Sequence, residues 1–406
     1  MACEVEWIPL GDIVNLSSGG TPDKKQPAYW DGEIPWISAK TLTGDTVTTS
    51  NLFITEEGLH AGSKLAPVGS ILLLTRGSGL FKRIPLAIVN APVAYNQDVK
   101  CMTSKVTTIT NEYVFFALKA LSPELTNMLE TTGIGAGKLA TERLLDMPIP
   151  VLSHDEREKA VSFFSALSRK IMINNRINDY LEQCLLARYD HLFRGAGTYN
   201  GTISDIGDVV GGATPSKKRP EYYCHEGIGW ITPKDLSNTT NKFVAHGADD
   251  ITRVGFDSCS IKKLPAGTVL FSSRAPIGYI AIASDEVTTN QGFKSIVPHK
   301  EIGTAFVYCF LVRNKDRIAD AGSGTTFPEV SGKTMAGIEL TLPNINLCAK
   351  FEEWASPLLE EQRHLEDENR QLEDLRDTLL PKLMSGEIDV SKVDLTQLTN
   401  NHLADC

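Results

Sequence analysis

Several stretches of the 406-residue chain carry residue types that could do chemistry. Ser331-Gly332-Lys333-Thr334 has the tail of a phosphate-binding loop, in which backbone N–H groups cradle phosphate and a lysine reaches its far end. Phe327 stands where that loop needs its first glycine, and Pro328 disrupts the anion nest, so no nucleotide is expected there. Gly133-Ile134-Gly135-Ala136-Gly137-Lys138 lacks the GxGxxG spacing and a leading strand, and reads as a flexible loop. Ser153, His154 and Asp155 supply the types of a hydrolytic triad, yet three neighbours at a helix start cannot converge as nucleophile, base and orienting acid. The eight histidines form no HExxH pair and the eight cysteines no CxxC pair, so neither a metal site nor a disulfide is expected. No Asn/Asp-Pro-Pro-aromatic segment and no nuclease-like Asp…Glu-x-Lys set stands out. The chain reads as a binder rather than a catalyst.

The sequence does repeat itself. TPDKKQPAYWDGEIPWISAKTL (21–42) returns as TPSKKRPEYYCHEGIGWITPKDL (214–236), keeping Thr-Pro, Lys-Lys, a Trp-Ile pair and a closing Lys-x-Leu. GDIVNLSSGGTP (11–22) matches GDVVGGATP (207–215), and GSILLLTRGSG (69–79) matches GTVLFSSRAPIG (267–278). AYNQDVK (94–100) matches TNQGFK (289–294), and 131–152 parallels 321–343. A period this long is a duplicated domain, not a solenoid.

Short β-rich runs alternate with turn residues in both copies: Ile34–Ser38, Ser70–Thr75 and Leu86–Val89, then Gly229–Thr232, Thr268–Ser272 and Tyr279–Ala283. Helices are expected at Asn111–Leu121 and Thr304–Asp316. Each copy then runs into a long helix. The first has apolar residues at Phe164, Leu167, Ile171 and Leu181, interrupted by Asn174, Asn175 and Asn178. In the second, Leu358, Leu365, Leu372 and Leu379 recur every seven residues, interrupted by Glu361 and Glu368. The expected fold class is α/β (α+β): two similar mixed domains separated by a long antiparallel two-helix coiled coil, with a pseudo-twofold within one chain. The boundaries fall at 1–152, 153–196, 197–345, 346–390 and a tail, 391–406. Helices of ~30–40 residues would be ~45–60 Å long, comparable with or longer than the ~34–36 Å turn of a DNA duplex.

Composition is that of ordinary globular protein, 42% hydrophobic and 22% charged. No apolar run approaches a membrane span, and the acidic start, MACEVEWIPL, is unlike a signal peptide. A cytoplasmic location is expected. Of the net charge of −10, −8 falls in residues 346–406, and the second repeat is neutral. Binding to a polyanion depends on the local field of the docking face, so the global charge excludes nothing.

The repeated TP-[DS]-KK-x-P…W-I-[ST]-x-K-x-L block, the Arg-[Gly/Ala] step, the later Asn-Gln and the tail LRDTLLPKLMSGEIDV (375–390) resemble the specificity (S) subunits of type I restriction-modification systems. That resemblance implies a non-catalytic DNA-binding subunit. Each domain would read half of a bipartite target in double-stranded DNA, and the helices would space the halves. It also implies two N6-adenine methyltransferase modification subunits as partners, docked largely on the helices, and ATP-dependent translocating restriction subunits. S-adenosylmethionine, ATP and Mg2+ would then sit on those partners, and this chain would hold no cofactor.

On that reading Lys24, Lys25, Lys40, Lys100, Lys217, Lys218, Arg219, Lys234 and Lys294 become candidates for phosphate contacts. Arg76 and Arg274 suit guanine or phosphate, Asn96, Gln97, Asn290 and Gln291 suit adenine edges, and Ser78 lies in a stretch where the copies diverge. Residues common to both repeats cannot make two half-sites differ, so several should build scaffold; Trp36 and Trp230 should fill core. Two other readings stand beside this one: a coiled-coil adaptor that binds proteins, and a specificity protein for a related phage-defence methyltransferase. An enzyme with an unrecognised site is a third.

Overall fold

The computed structural model describes residues 5–133, 135–193, 199–324 and 328–389. Ile134, Phe327 and the expected tail at 391–406 lie outside the described residues. The chain divides into two compact units, one of residues 1–170 with 372–406, the other of residues 171–371. The division runs through both long helices rather than at their ends, because each helix buries its two halves in different cores.

Each unit is built on a five-stranded sheet. In the first the order is Val14–Ser18, Val99–Ser104, Ile71–Leu74, Leu86–Val89 and Thr46–Val47. The second repeats it with Gly207–Gly211, Lys294–Pro298, Val269–Ser273, Ile277–Ala283 and Phe243–Val244. Pairing is antiparallel except at the last strand, which joins in parallel. The central strands are buried on both faces, which is why residues 71–74 and 269–271 read as unbroken apolar runs rather than alternating ones. Ile71 and Leu73 enter one core while Leu72 and Leu74 enter another, as the two-residue strand period requires.

A helix covers one face of each sheet: Asn111–Ala120, capped by the Thr110 side chain, and Thr304–Asp320. The second runs four residues past its expected end at Asp316. It has no side-chain cap of its own; instead Glu352, on the C-terminal helix, accepts from Ala305 N at 2.9 Å. A small antiparallel pair ties the ends of each unit, Glu6–Pro9 with Pro148–Val151 and Tyr199–Thr202 with Glu339–Leu342.

The central helix spans His154–Phe193 and the C-terminal helix Ile345–Met384. In the first unit Phe163, Phe164 and Leu167 join Leu380, Leu383 and Met384 in one core. Within residues 171–371 the two helices run antiparallel, but their contact is polar where leucine was expected. Asn174 is fully buried and donates through Nδ2 to Asn369 Oδ1 at 2.9 Å and Glu368 Oε2 at 2.7 Å. Asn369 donates to Asn175 Oδ1 at 2.8 Å, and Gln362 to the Asn178 carbonyl at 3.1 Å. The asparagines are thus part of the seam, which continues as apolar packing of Leu185 and Tyr189 with Phe351 and Leu359.

The leucine register is corrected accordingly. Leu181 and Leu358 are only half-buried, and the residues that enter the core are Leu185 and Leu359. Leu365 is buried and Ile171 is 8% exposed, whereas Leu372 and Leu379 are half-buried against the first core. A strict seven-residue spacing of leucines drifts around a 3.6-residue helix, and the polar contacts select the neighbouring positions.

Glu366 links this seam to the second sheet. It accepts from the backbone N–H of Lys242 at 2.8 Å and of Phe243 at 3.1 Å, while Lys242 Nζ bridges Glu182 and Gln362. Glu366→Ala leaves both amides without that acceptor and should cost about 1–3 kcal/mol in urea unfolding; Glu366→Gln, which keeps one acceptor oxygen, should cost less. Burial raises the Glu366 carboxyl above its ordinary 4.5, against the pull of those amides and Lys242. The folded chain therefore holds that proton more tightly than the unfolded chain. Its contribution to stability is complete below about pH 4.5 and is lost as pH rises through the raised value. Glu366→Gln should flatten that part of the stability–pH profile.

Candidate nucleic-acid interface

The repeated signature builds the same latch twice. Trp36-Ile37 pairs in parallel with Ala94-Tyr95, and Trp230-Ile231 with Thr288-Thr289. Both indoles are 4% exposed. Trp36 Nε1 donates to the Gly20 carbonyl, and Trp230 Nε1 to the Ala213 carbonyl, each at 3.1 Å. A second aromatic ring meets each indole edge-on, Trp30 at 5.3 Å and Tyr223 at 5.5 Å. The tryptophans are core and anchor, leaving no indole face for stacking on a base.

The loop so held carries the Thr-Pro step and the lysines. Thr21 Oγ1 donates to Gln97 Oε1 at 2.6 Å, and Thr214 makes the same bond to Gln291. Gly20 N donates to the Tyr95 carbonyl at 2.9 Å and Ala213 N to the Thr289 carbonyl at 3.0 Å. The approach is so close that a Cβ at Gly19 or Gly212 would lie 2.0–2.1 Å from those same carbonyl oxygens. Glycine before the Thr-Pro loop is therefore a steric requirement in both copies. Beneath the first loop, the Tyr95 hydroxyl, raised by burial to about 12, meets Ser17 Oγ at 2.7 Å.

The Asn-Gln pair belongs to this scaffold. Asn96 is 6% exposed, and its Oδ1 accepts from Asp98 N and Val99 N, both at 3.1 Å. Asn290 is half-buried and its Oδ1 accepts from Gly292 N at 2.8 Å. Asn96, placed above among adenine readers, is instead the pivot of a turn, and Asn290 makes the matching turn. Gln97 and Gln291 are exposed, with their carbonyl oxygens engaged by the threonines.

Lys24, Lys25 and Lys40 are exposed in the first unit, as are Lys217, Lys218, Arg219 and Lys234 in the second. Arg219 leans on the Tyr222 ring at 5.7 Å and pairs with Glu221 at 3.5 Å, both solvent-facing contacts that a polyanion can replace. Lys100 and Lys294 differ from these. Lys100 is half-buried, donates to Ser18 Oγ, and its pKa is lowered by burial against the opposing pull of Asp98. Lys294 donates to Glu329 at 3.2 Å. Both are placed in the scaffold rather than on an open face, which corrects their expected role as phosphate contacts.

Arg76 and Ser78 are exposed at the end of a strand, while Arg274 is half-buried and pairs with Glu329 at 3.6 Å. Glu329, which lies between Arg274 and Lys294, carries no signal in the sequence. Ser331-Gly332-Lys333-Thr334 begins a short helix, with Ser331 Oγ accepting from Thr334 N at 3.0 Å, so this stretch has a capping role. Among the described residues no cluster of three His, Cys, Asp or Glu could hold a metal ion, and no helix is long and apolar enough to cross a membrane.

A family model described as the type I restriction modification DNA specificity domain matches residues 4–183 and again 198–347. The MjaIX specificity subunit of Methanocaldococcus jannaschii is 43% identical over 145 residues, 35% of this chain and 33% of that protein. The EcoR124I/EcoR124II specificity subunit of Escherichia coli is 30% identical over 197 residues, 45% of this chain and 48% of that protein. The chain thus spans between a third and a half of the length of these relatives. The crystal structure of an S subunit from M. genitalium superposes with a TM-score of 0.57 at 14% identity, covering 94% of this chain and 96% of that one, and so shares its fold.

The latch predicts a local effect. Thr21→Val or Gln97→Ala should raise amide exchange over residues 21–29 while leaving global unfolding within about 0.5 kcal/mol of the parent, since the bond is exposed. Hydrogen exchange read by mass spectrometry checks both halves of that expectation.

Proposed function

The chain belongs to the type I restriction modification DNA specificity domain family, and on that premise we propose that it is the sequence-reading subunit of such a complex, each unit reading one half of a bipartite DNA target. The observation that carries this reading is the doubled latch. One rigid scaffold presents exposed cations at matching places, Lys24 and Lys25 in one unit and Lys217, Lys218 and Arg219 in the other, while the loops beside them diverge. Shared cations suit the shared phosphate backbone, and divergent loops suit different bases. Arg76 has four more residues between it and Asn-Gln than Arg274 has, so the reading loops differ in reach.

Catalysis is assigned to partners. Two modification subunits, N6-adenine methyltransferases using S-adenosylmethionine, are proposed to dock on the helices, joined by restriction subunits that use ATP and Mg2+. The central helix supports this with exposed Ile173, Ile177 and Tyr180 on one stripe, beside Met172. An apolar stripe of this kind on a charged helix marks a protein contact. The gap between half-sites is assigned to the helices, and the complex to the cytosol, where its DNA lies.

The test maps N6-methyladenine in cells carrying the cognate methyltransferase with and without this chain. A bipartite motif with a fixed gap should appear only with the chain, and exchange of residues 1–150 should alter one half alone. Identical maps from an expressed complex would overturn the reading in favour of a protein-binding adaptor. Purified complex should also lose DNA affinity steeply with salt, and removing Lys217 and Lys218 together should lower the log–log slope by about two.

A further inference from the structure

One position reverses its charge between two otherwise matched sites. In the first unit Leu139 N donates to the Thr75 carbonyl at 2.8 Å; in the second Val330 N donates to the Ser273 carbonyl at 3.0 Å. Thr75 and Ser273 each precede the strand-end arginine, so these bonds make Lys138 and Glu329 structural equivalents. The equivalence is hidden in the sequence, where Gly137-Lys138 aligns more naturally with Gly332-Lys333.

The surroundings differ in kind. Lys138 sits directly across the strand pair from Arg76, and both are exposed. Its other cross-strand neighbour is Glu130, whose carboxylate pairs with Arg143 at 3.4 Å. Among the described residues Arg76 has no ion-pair partner. Glu329 places one oxygen 3.6 Å from Arg274 Nη1 and the other 3.2 Å from Lys294 Nζ. Lys294 is further held by the Gln291 carbonyl at 3.3 Å and Ser273 Oγ at 3.4 Å, which ties Glu329 to the Thr-Gln latch. A carboxylate between two cations, one hydrogen-bonded and the other an ion pair at 3.6 Å, biases their directions and cancels part of their field. A lysine beside an arginine leaves a doubly positive, donor-only patch.

We propose that Lys138 and Glu329 are the specificity-determining pair of the two units: Glu329 is a positioning residue that aims Arg274 at one base, while Lys138 reinforces Arg76 as a donor-only reader of acceptor edges such as guanine O6 and N7. This rests on the DNA-reading function above. A guanidinium held by a carboxylate keeps one fixed edge for hydrogen bonding, so it discriminates between bases. Released, it becomes a mobile cation that prefers any phosphate.

The test uses the full chain with its cognate methyltransferase in cells, reading N6-methyladenine at the wild-type motif and at its single-base variants. Exchange of residues 1–150 assigns each half-site to its unit. Glu329→Gln removes the charge at nearly constant shape; it should lower discrimination about ten-fold at one base of the second unit's half-site and leave the other half unchanged. Glu329→Lys should shift the preference at that base further, and Lys138→Glu should change one base in the first unit's half-site alone. Unchanged base preference in Glu329→Gln overturns the proposal, as does relaxation spread equally over both halves, which a loosened scaffold would give. If Glu329→Lys fails to assemble, Glu329→Gln decides by the same criterion. A wild-type map without a bipartite motif would instead remove the DNA-reading function, so the two failures are told apart.

Discussion

Parallel pairing of the Trp-Ile step with the strand before Asn-Gln is the constraint on which each candidate reading surface depends. It brings residues nearly sixty positions apart into register and buries an indole between them. The indole N–H then needs an acceptor, because an unpaired buried donor costs about 1–3 kcal/mol. The carbonyl before Thr-Pro supplies it, which pins the lysine-bearing loop to the sheet. From there the threonine reaches the glutamine, and the asparagine closes its turn. Remove the strand pairing and the loop, the turn and the cation positions lose their common reference.

The helices make a different use of polar groups. Between residues 171 and 371 they meet partly through Asn174, Asn369, Asn175 and Gln362, where leucines would give more burial, and partly through Leu185, Tyr189, Phe351 and Leu359. The side-chain N–H groups of Asn174, Asn369 and Gln362 each have a specific acceptor, so a register shift would strand several buried donors at once. Such contacts trade stability for a single alignment, in the manner of a polar residue at a coiled-coil seam. Glu366 and Glu352 extend the logic to the sheet and to the start of Thr304–Asp320, fixing the helix to its own unit by backbone amides rather than by apolar area alone. A face that makes its internal contacts this way leaves Ile173, Ile177 and Tyr180 exposed.

Charge is distributed by the same division of labour. The exposed cations sit on loops of the latch, while Lys100 and Lys294 are drawn inward, Lys294 onto a carboxylate. The acidity that dominates the net charge belongs to the C-terminal stretch. A net charge of −10 is therefore compatible with two basic surfaces.

The sequence by itself determined the duplication, the mixed α/β class, the two long helices and the core role of both tryptophans. These are written in local pattern: short apolar strand runs, glycine where a carbonyl approaches, and sustained helical period. It also picked out the Thr-Pro and Asn-Gln steps, though not that each grips the other across nearly eighty residues. Only the tertiary structure decided which side chains remain open. Asn96, Asn290, Lys100 and Lys294 have the residue types of readers, yet their hydrogen bonds are made within the fold. At Leu358 the seven-residue spacing falls one residue from Leu359, the side chain that packs with Ala355 and Phe351 in the core. Lys138 and Glu329 were invisible for a related reason: their equivalence is defined by one main-chain hydrogen bond to a distant strand, and no alignment of letters carries that bond.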